Sequence, residues 1–266
     1  MKSALTLVVA LLPAVLSAQK PSGPVQDNSF LMEEAYNQEA RVVQHISVFN
    51  HSASDGSWGY AFTQEWPFRS QRHQLSFTIP VAHAPGNPSA TGIGDIALNY
   101  RYQLVGSGQT RLAVAPRLTV LVPTGSTAKG FGAGEPGGQL ELPVSWMLTP
   151  RLAAHWNGGV MLQPRVKVPG GVDVSVTTFN LGQSFVYLLT PTLNLMLETV
   201  WTRASRSSGT AAAVATKSLL VSPGVRYALN FESGLQVVPG IAFPIGVGPS
   251  RGQRFVLLYL SFEHPF

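Results

Sequence analysis

Between residues 92 and 162, four successive segments carry apolar side chains at every second position and polar or ionisable ones between them. In 92–104, Ile96, Leu98, Tyr100, Tyr102 and Leu104 alternate with Asp95, Asn99, Arg101 and Gln103. In 110–122, Leu112, Val114, Leu118, Val120 and Val122 oppose Arg111, Arg117 and Thr119. Leu140, Leu142, Val144, Trp146 and Leu148 oppose Gln139, Glu141 and Ser145, and Leu152, Trp156, Val160 and Leu162 oppose Arg151, His155 and Asn157. A strand puts successive side chains on opposite faces, so each segment separates an apolar face from a charged one. Neighbouring strands cannot all turn ionised groups into a dry core, because unpaired buried charge costs too much. The other face is too apolar for water. A sheet closed on itself, with lipid outside and a polar interior, satisfies both demands.

The last segment follows the same rule. Val256, Leu258, Leu260 and Phe262 share one face, and Phe255, Leu257, Tyr259, Ser261 and Glu263 the other, before the chain stops at Phe266. Charged residues are 12 % of the chain, against roughly 25 % in ordinary soluble domains. The 26 Gly and 20 Pro mark turns, while plentiful apolar and β-branched residues argue against disorder. Cys is absent, which removes disulfides and thiolate metal sites. The net charge of +5 is spread singly along the chain without a cluster or recognition motif, so nucleic acid is not an expected partner. No cofactor is expected.

Lys2 and the apolar run from Ala4 to Val15, followed by Leu16-Ser17-Ala18, have the form of a secretory signal peptide over 1–18. Residues 19–40 form a polar periplasmic lead, read as a short helix or a partial plug, with the helix expected at 30–35 near the barrel mouth. Beyond it, 41–266 divides into twelve strands: 41–49, 58–66, 71–80, 92–104, 110–122, 137–148, 150–162, 176–188, 191–203, 215–228, 231–243 and 253–265. Tight connectors (67–70, 105–109, 149, 189–190 and 229–230) alternate with longer ones (50–57, 81–91, 123–136, 163–175, 204–214 and 244–252). The fold class expected is therefore all-β: one antiparallel up-and-down transmembrane barrel of twelve strands, with short periplasmic turns and longer outer loops. Trp58, Trp66, Tyr100, Tyr102, Trp146, Tyr187, Trp201 and Tyr227 lie near strand ends, as interfacial girdles require.

The C-terminal aromatic closing an alternating strand resembles the terminal strand of bacterial outer-membrane barrels, which implies that their assembly machinery reads Phe266. Glu33-Glu34-Ala35-Tyr36-Asn37-Gln38-Glu39 with Val42-Val43-Gln44-His45-Ile46, the stretch 92–102 and Pro116-Arg117-Leu118-Thr119-Val120-Leu121-Val122-Pro123-Thr124-Gly125 are similar to segments of one bacterial group. That group is the outer-membrane transporter family of the phenol-degradation meta-pathway (Phenol MetA-type β-barrels). The resemblance covers most of the mature chain and implies a bacterial outer-membrane location, with outer-membrane lipid and a small-molecule solute as partners. The function it suggests is a passive channel or transporter for small solutes, aromatic or hydrophobic ones included.

Candidate lumen-lining residues are Asp95, Arg101, Arg111, Arg117, Glu141, Arg151, His155, Glu198, Arg226 and Glu263. The turn assignments put 97 opposite 117 and 143 opposite 155. Asp95 is then diagonal to Arg117, Glu141 near His155, Glu198 near Asn180 and Glu263 near Arg41. Such a lining sets charge selectivity or forms a paired network. The Gly-rich stretch 130–138 is followed by a strand rather than a helix, which excludes a phosphate loop and suggests a flexible outer loop. The alternative function is an outer-membrane lipid-modifying enzyme of the lipase or deacylase kind. It would need Ser and His within hydrogen-bond reach. Ser70 and His73 lie near one turn, and Ser145 and His155 share the lumen face offset by several positions; neither pair has an orienting third member. The His residues are dispersed without metal-ligand spacing, so no metal site is expected.

Overall fold

The computed structural model describes residues 29–209 and 213–266. The proposed signal peptide lies outside the described residues. The strands in chain order are β1 (Val42–Ser52), β2 (Trp58–Phe68), β3 (Ser70–Ala84), β4 (Ala90–Ile93), β5 (Ile96–Tyr102), β6 (Leu112–Val114), β7 (Arg117–Val122) and β8 (Gly137–Thr149). They continue as β9 (Leu152–Val166), β10 (Val174–Leu188), β11 (Leu193–Ser207), β12 (Val214–Tyr227), β13 (Leu229–Asn230), β14 (Gln236–Ala242), β15 (Ile245–Gly246) and β16 (Phe255–Pro265). All pairs are antiparallel, and the short β4, β6, β13 and β15 belong to longer staves, so the wall has twelve staves. β14 bonds both β12 and β16, and β16 bonds β1 from Val42↔Pro265 to Ser52↔Phe255, which closes the barrel. Phe266 donates its N–H to Arg41 O at 2.9 Å, tying the last residue to the start of the first stave.

The faces follow the period of two. Along β11, Leu195 is 44 % exposed, Met196 4 %, Leu197 47 % and Glu198 0 %. Leu98, Leu118, Val120, Leu140, Leu142, Leu181 and Leu258 continue this band outside, while Gln44, Ser145, Ser184, Asn194, Ser222 and Ser261 are buried inside. An apolar band of that extent around a closed wall is a lipid-facing surface. Tyr100, Trp146, Tyr187 and Tyr227 are exposed on it. No helix among the described residues is long and apolar enough to cross a membrane, which says nothing of strands.

Three local expectations need correction. The 30–35 segment is not helical; the helices among the described residues are single 3-10 turns at Thr127–Lys129 and Gly248–Ser250. The register between β5 and β7 is Ala97↔Leu121, not 97 opposite 117, because the hairpin turns further along the chain. Val105 bridges Val114, and β6 pairs with β8 instead of β5. Leu229–Asn230 is not a turn but pairs with 236–237, with the turn at 231–235. The alternation of connector lengths is accordingly looser than expected: 53–57 is short on the side of the longer loops.

Candidate functional site

Residues 29–38 cross the lumen, and the inward side chains of the wall supply their hydrogen-bond partners. Alternate backbone N–H groups each find a side-chain acceptor. Leu31 donates to Glu198 Oε1 (3.0 Å), Glu33 to Asn157 Oδ1 (2.9 Å), Ala35 to Ser145 Oγ (2.7 Å) and Asn37 to Gln103 Oε1 (3.1 Å). The carbonyls of Glu33 and Ala35 accept from Asn157 Nδ2 and Gln103 Nε2, both at 2.9 Å. Arg101 reaches three acceptors at once: Asn37 Oδ1 (2.9 Å), Glu34 O (3.2 Å) and Tyr36 O (2.6 Å). A buried peptide must have its polar groups paired; here amides, carboxylates and hydroxyls replace the neighbouring strand that would usually do so.

Apolar side chains of the segment fit into gaps in the wall. A Cβ at Gly182 would stand 2.6 Å from Met32 Sδ, and one at Gly224 2.9 Å from the Phe30 ring. Phe30 also packs its ring 5.0 Å from that of Tyr259. The wall therefore omits side chains where the segment supplies them, as dense packing requires.

The charges are distributed between wall and segment. Glu34 Oε1 lies 3.1 Å from Arg226 Nη1 and 3.7 Å from His155 Nε2, and accepts from Ser29 Oγ. Glu33 pairs with Arg117, with Arg101 Nη1 at 3.8 Å from its other oxygen. Glu65 completes the cluster, 3.6 Å from Arg101 and accepting from Gln74 Nε2 at 2.8 Å. Glu141 Oε1 accepts from Asn180 Nδ2 and Gln139 Nε2, both at 2.6 Å.

Of the ten sequence candidates, the structure brings Arg101, Arg117, Glu141, His155, Glu198 and Arg226 to this inner network. Glu263 stands opposite Gln44 and Gln236, with Pro265 reaching the Arg41 end. Arg111 and Arg151 are exposed at turns; Arg111 points its guanidinium at Met147 O and Leu148 O, both at 3.4 Å. The expected contacts Asp95–Arg117, Glu141–His155 and Glu198–Asn180 are replaced. In the real registers Arg117 stands opposite Glu141, Ser145 opposite His155 and Ser184 opposite Glu198. Glu33, Glu34, Glu65 and Gln74 are site residues beyond those the sequence pointed to, and Gln103 and Asn157, on the expected polar face, join them though not among the lining candidates. One signal was present: an inward set rich in Arg needs carboxylates, and Glu33-Glu34 is an adjacent acidic pair just upstream.

Asp95 works at the other end of the lumen. Its oxygens accept the N–H groups of Gly125 (2.9 Å) and Ala133 (2.8 Å), folding the 123–136 loop back on itself. Within that loop a Cβ on Gly125 would come 2.7 Å from Gly132 Cα, so the two backbones touch and need glycine at that point. Phe131 covers Gly92 in the same way. The Gly-rich stretch thus packs on its own loop and on the ends of neighbouring staves, with Lys167 N–H donating to Ala133 O at 2.8 Å.

The Ser–His pairs of the enzyme reading also change. Ser145 Oγ is 2.7 Å from His155 Nδ1, directly opposite rather than offset. That hydroxyl already accepts the Ala35 N–H, and both side chains are buried beneath the segment. His73 Nδ1 is 2.6 Å from Tyr100 Oη on the outer wall, and Ser70 Oγ accepts the Arg72 N–H instead of meeting His73. Among the described residues no three His, Cys, Asp or Glu side chains are placed to hold a metal ion.

The fold is that of an outer-membrane β-barrel. It is similar to the COG4313 outer membrane channel from Pseudomonas putida F1, with a TM-score of 0.68, 13 % identity, 87 % of this chain and 98 % of that one covered. It is also similar to the NanC porin, with a TM-score of 0.55, 8 % identity, and 84 % and 100 % covered. Among curated proteins no sequence match is found. Over residues 22–245 the sequence matches the family described as "Putative MetA-pathway of phenol degradation", and a match of that extent, on a barrel of this architecture, means that the chain belongs to that family.

Proposed function

We propose that the barrel is a passive channel of the bacterial outer membrane for small solutes, its bore governed by the 29–38 segment and the 123–136 loop. The observation that carries this reading is inside the closed wall: polar side chains, charged in both signs, held against a segment by non-covalent contacts alone. Polar linings of this kind act on permeating solutes through their charged groups. The likeness to an outer membrane channel and to a porin supports it. The solutes of this proposal are small, with aromatic or hydrophobic bodies.

The remaining assignments belong to the same proposal. Residues 1–18 direct export and are removed, 19–40 begin on the periplasmic side, and 41–266 form the barrel. The end holding Arg41 and Phe266 faces the periplasm, outer-membrane lipid covers the apolar band, and the assembly machinery engages the strand ending in Phe266. A non-catalytic role is part of the proposal, supported by Ser145 being engaged by the Ala35 amide and by Ser70 bonding the Arg72 amide rather than His73.

Planar-bilayer recording tests the channel. The full chain should give small unitary currents, and deletion of 29–38 should raise them several-fold. Absence of current from both proteins, with each folded and heat-modifiable on gels, would end the reading.

A further inference from the structure

The outer wall carries a charge arrangement that the pore does not use. Arg203 of β11 stands directly opposite Lys217 of β12. Both lie on the lipid-facing parity, two positions beyond the outward pair Trp201 and Leu219 in the direction of the outer loops. Below them the same face carries Leu195 and Leu197, both well exposed. Two residues of strand correspond to about 7 Å, so the cations sit just above an aromatic marker of the membrane interface.

Like charges directly opposite on neighbouring strands repel. Among the described residues neither Arg203 nor Lys217 has an ion pair, and the acids of nearby loops are engaged elsewhere. Asp173 bonds Arg165 at 2.7 Å and Glu135 bonds Lys167 at 2.9 Å. The intervening Thr210, Ala211 and Ala212 bring no charge. A third cation, the exposed Arg251, follows the 3-10 turn whose Ser250 Oγ accepts the Leu219 N–H at 3.0 Å. The surface thus presents two facing cations and a flanking one at the height where lipid phosphates lie, with apolar wall beneath for acyl chains.

We propose that Arg203 and Lys217 together hold a phosphate of a phosphorylated glycolipid in the outer leaflet, whose acyl chains run down the Leu195–Leu197 face. The bound anion converts a repulsive cross-strand pair into two charge-assisted contacts. The pair is an annular lipid site that fixes the barrel's height and rotation in the membrane.

Native mass spectrometry of the full chain in neutral detergent tests this, with diphosphorylated lipid A, phosphatidylcholine or inorganic phosphate added. Lipid A should be retained, and R203Q/K217Q should weaken retention about thirtyfold, two cations at their usual value near an anionic surface. The control K129Q/R254Q, which removes the same charge from other outer positions, should retain lipid A as the unaltered chain does. Equal loss in both double variants would overturn the site in favour of diffuse attraction. Retention of phosphatidylcholine equal to lipid A, or full competition by millimolar inorganic phosphate, would overturn it as well. A second readout needs no lipid. In neutral detergent R203Q/K217Q should melt at or above the temperature of the unaltered chain, because the repulsion is gone; melting several degrees below it would contradict the premise.

Discussion

Glu34 Oε1 lies 3.1 Å from Arg226 Nη1, joining a residue that precedes the first strand to one that enters the wall near its end. Both groups are buried, and Arg226 also donates to Asn194 Oδ1 at 3.0 Å. The pair holds the segment to the half of the barrel that closes last.

Glu34→Gln should therefore loosen the segment more than the barrel. A hydrogen bond to a charged group is worth about 2 kcal/mol, and its loss leaves Arg226 without its carboxylate. The expected result is noisier current with more frequent high-conductance events and a reversal potential shifted toward anions. Heat-modifiability on gels should persist. Bilayer recordings in a salt gradient measure both.

The absence of Cys allows a direct test of the segment's place. The Ala35 N–H meets Ser145 Oγ at 2.7 Å, so cysteines at these two positions lie within reach of a short, reducible bifunctional thiol reagent. A35C/S145C should crosslink with such a reagent, hold the conductance at its low level and recover its fluctuations on reduction. Failure to crosslink in folded barrels would place the segment elsewhere.

Asp95→Ala removes the acceptor shared by Gly125 and Ala133, two contacts worth about 1.5–3 kcal/mol each when one partner is a carboxylate. The 123–136 loop should open, and exposed Lys129 within it should become a trypsin site cut at least tenfold faster, while the barrel core resists. Timed proteolysis followed by mass spectrometry reads this out.

One pH effect lies outside the membrane-spanning wall. Hydrogen bonds from the Ser52 and then the Ser57 hydroxyl to Asp55 hold its carboxyl down at about 2, in the turn between β1 and β2. A carboxyl lowered in the folded state stabilises that turn fully above its ordinary value of 3.8, and the contribution is lost as pH falls through about 2. The Ser57 amide, which donates to Asp55 Oδ1 at 3.0 Å, should stay protected from exchange at pH 5 and lose that protection near pH 2. Asp55→Asn should lessen the pH dependence.

The staves and their faces were legible because a period of two survives any small error in boundaries. The registers were less so, for a reason visible at two turns. Gly106-Ser107-Gly108 attracts a tight turn by composition, yet Val105 pairs with Val114 and the loop closes around 107–110. Leu229 and Asn230 likewise pair before the chain reverses. A shift of two or four keeps every side chain on its face but exchanges its neighbours, so Arg117, His155 and Glu198 lie inside as expected but with other partners. The lumen segment has no period to betray its contacts. Its partners come from staves spread over most of the chain, and only the surplus of inward arginines hinted at the acids that meet them.

The segment enters the lumen only a few residues before β1 begins, so it is joined to the wall by a very short leash. A ligand tethered in this way acts at an effective concentration of roughly millimolar or more, whatever its intrinsic affinity. It can leave its seat many times without ever being lost to the surroundings. A passing solute therefore has to displace it only for the duration of one transit, and the seat refills from within once the solute has gone.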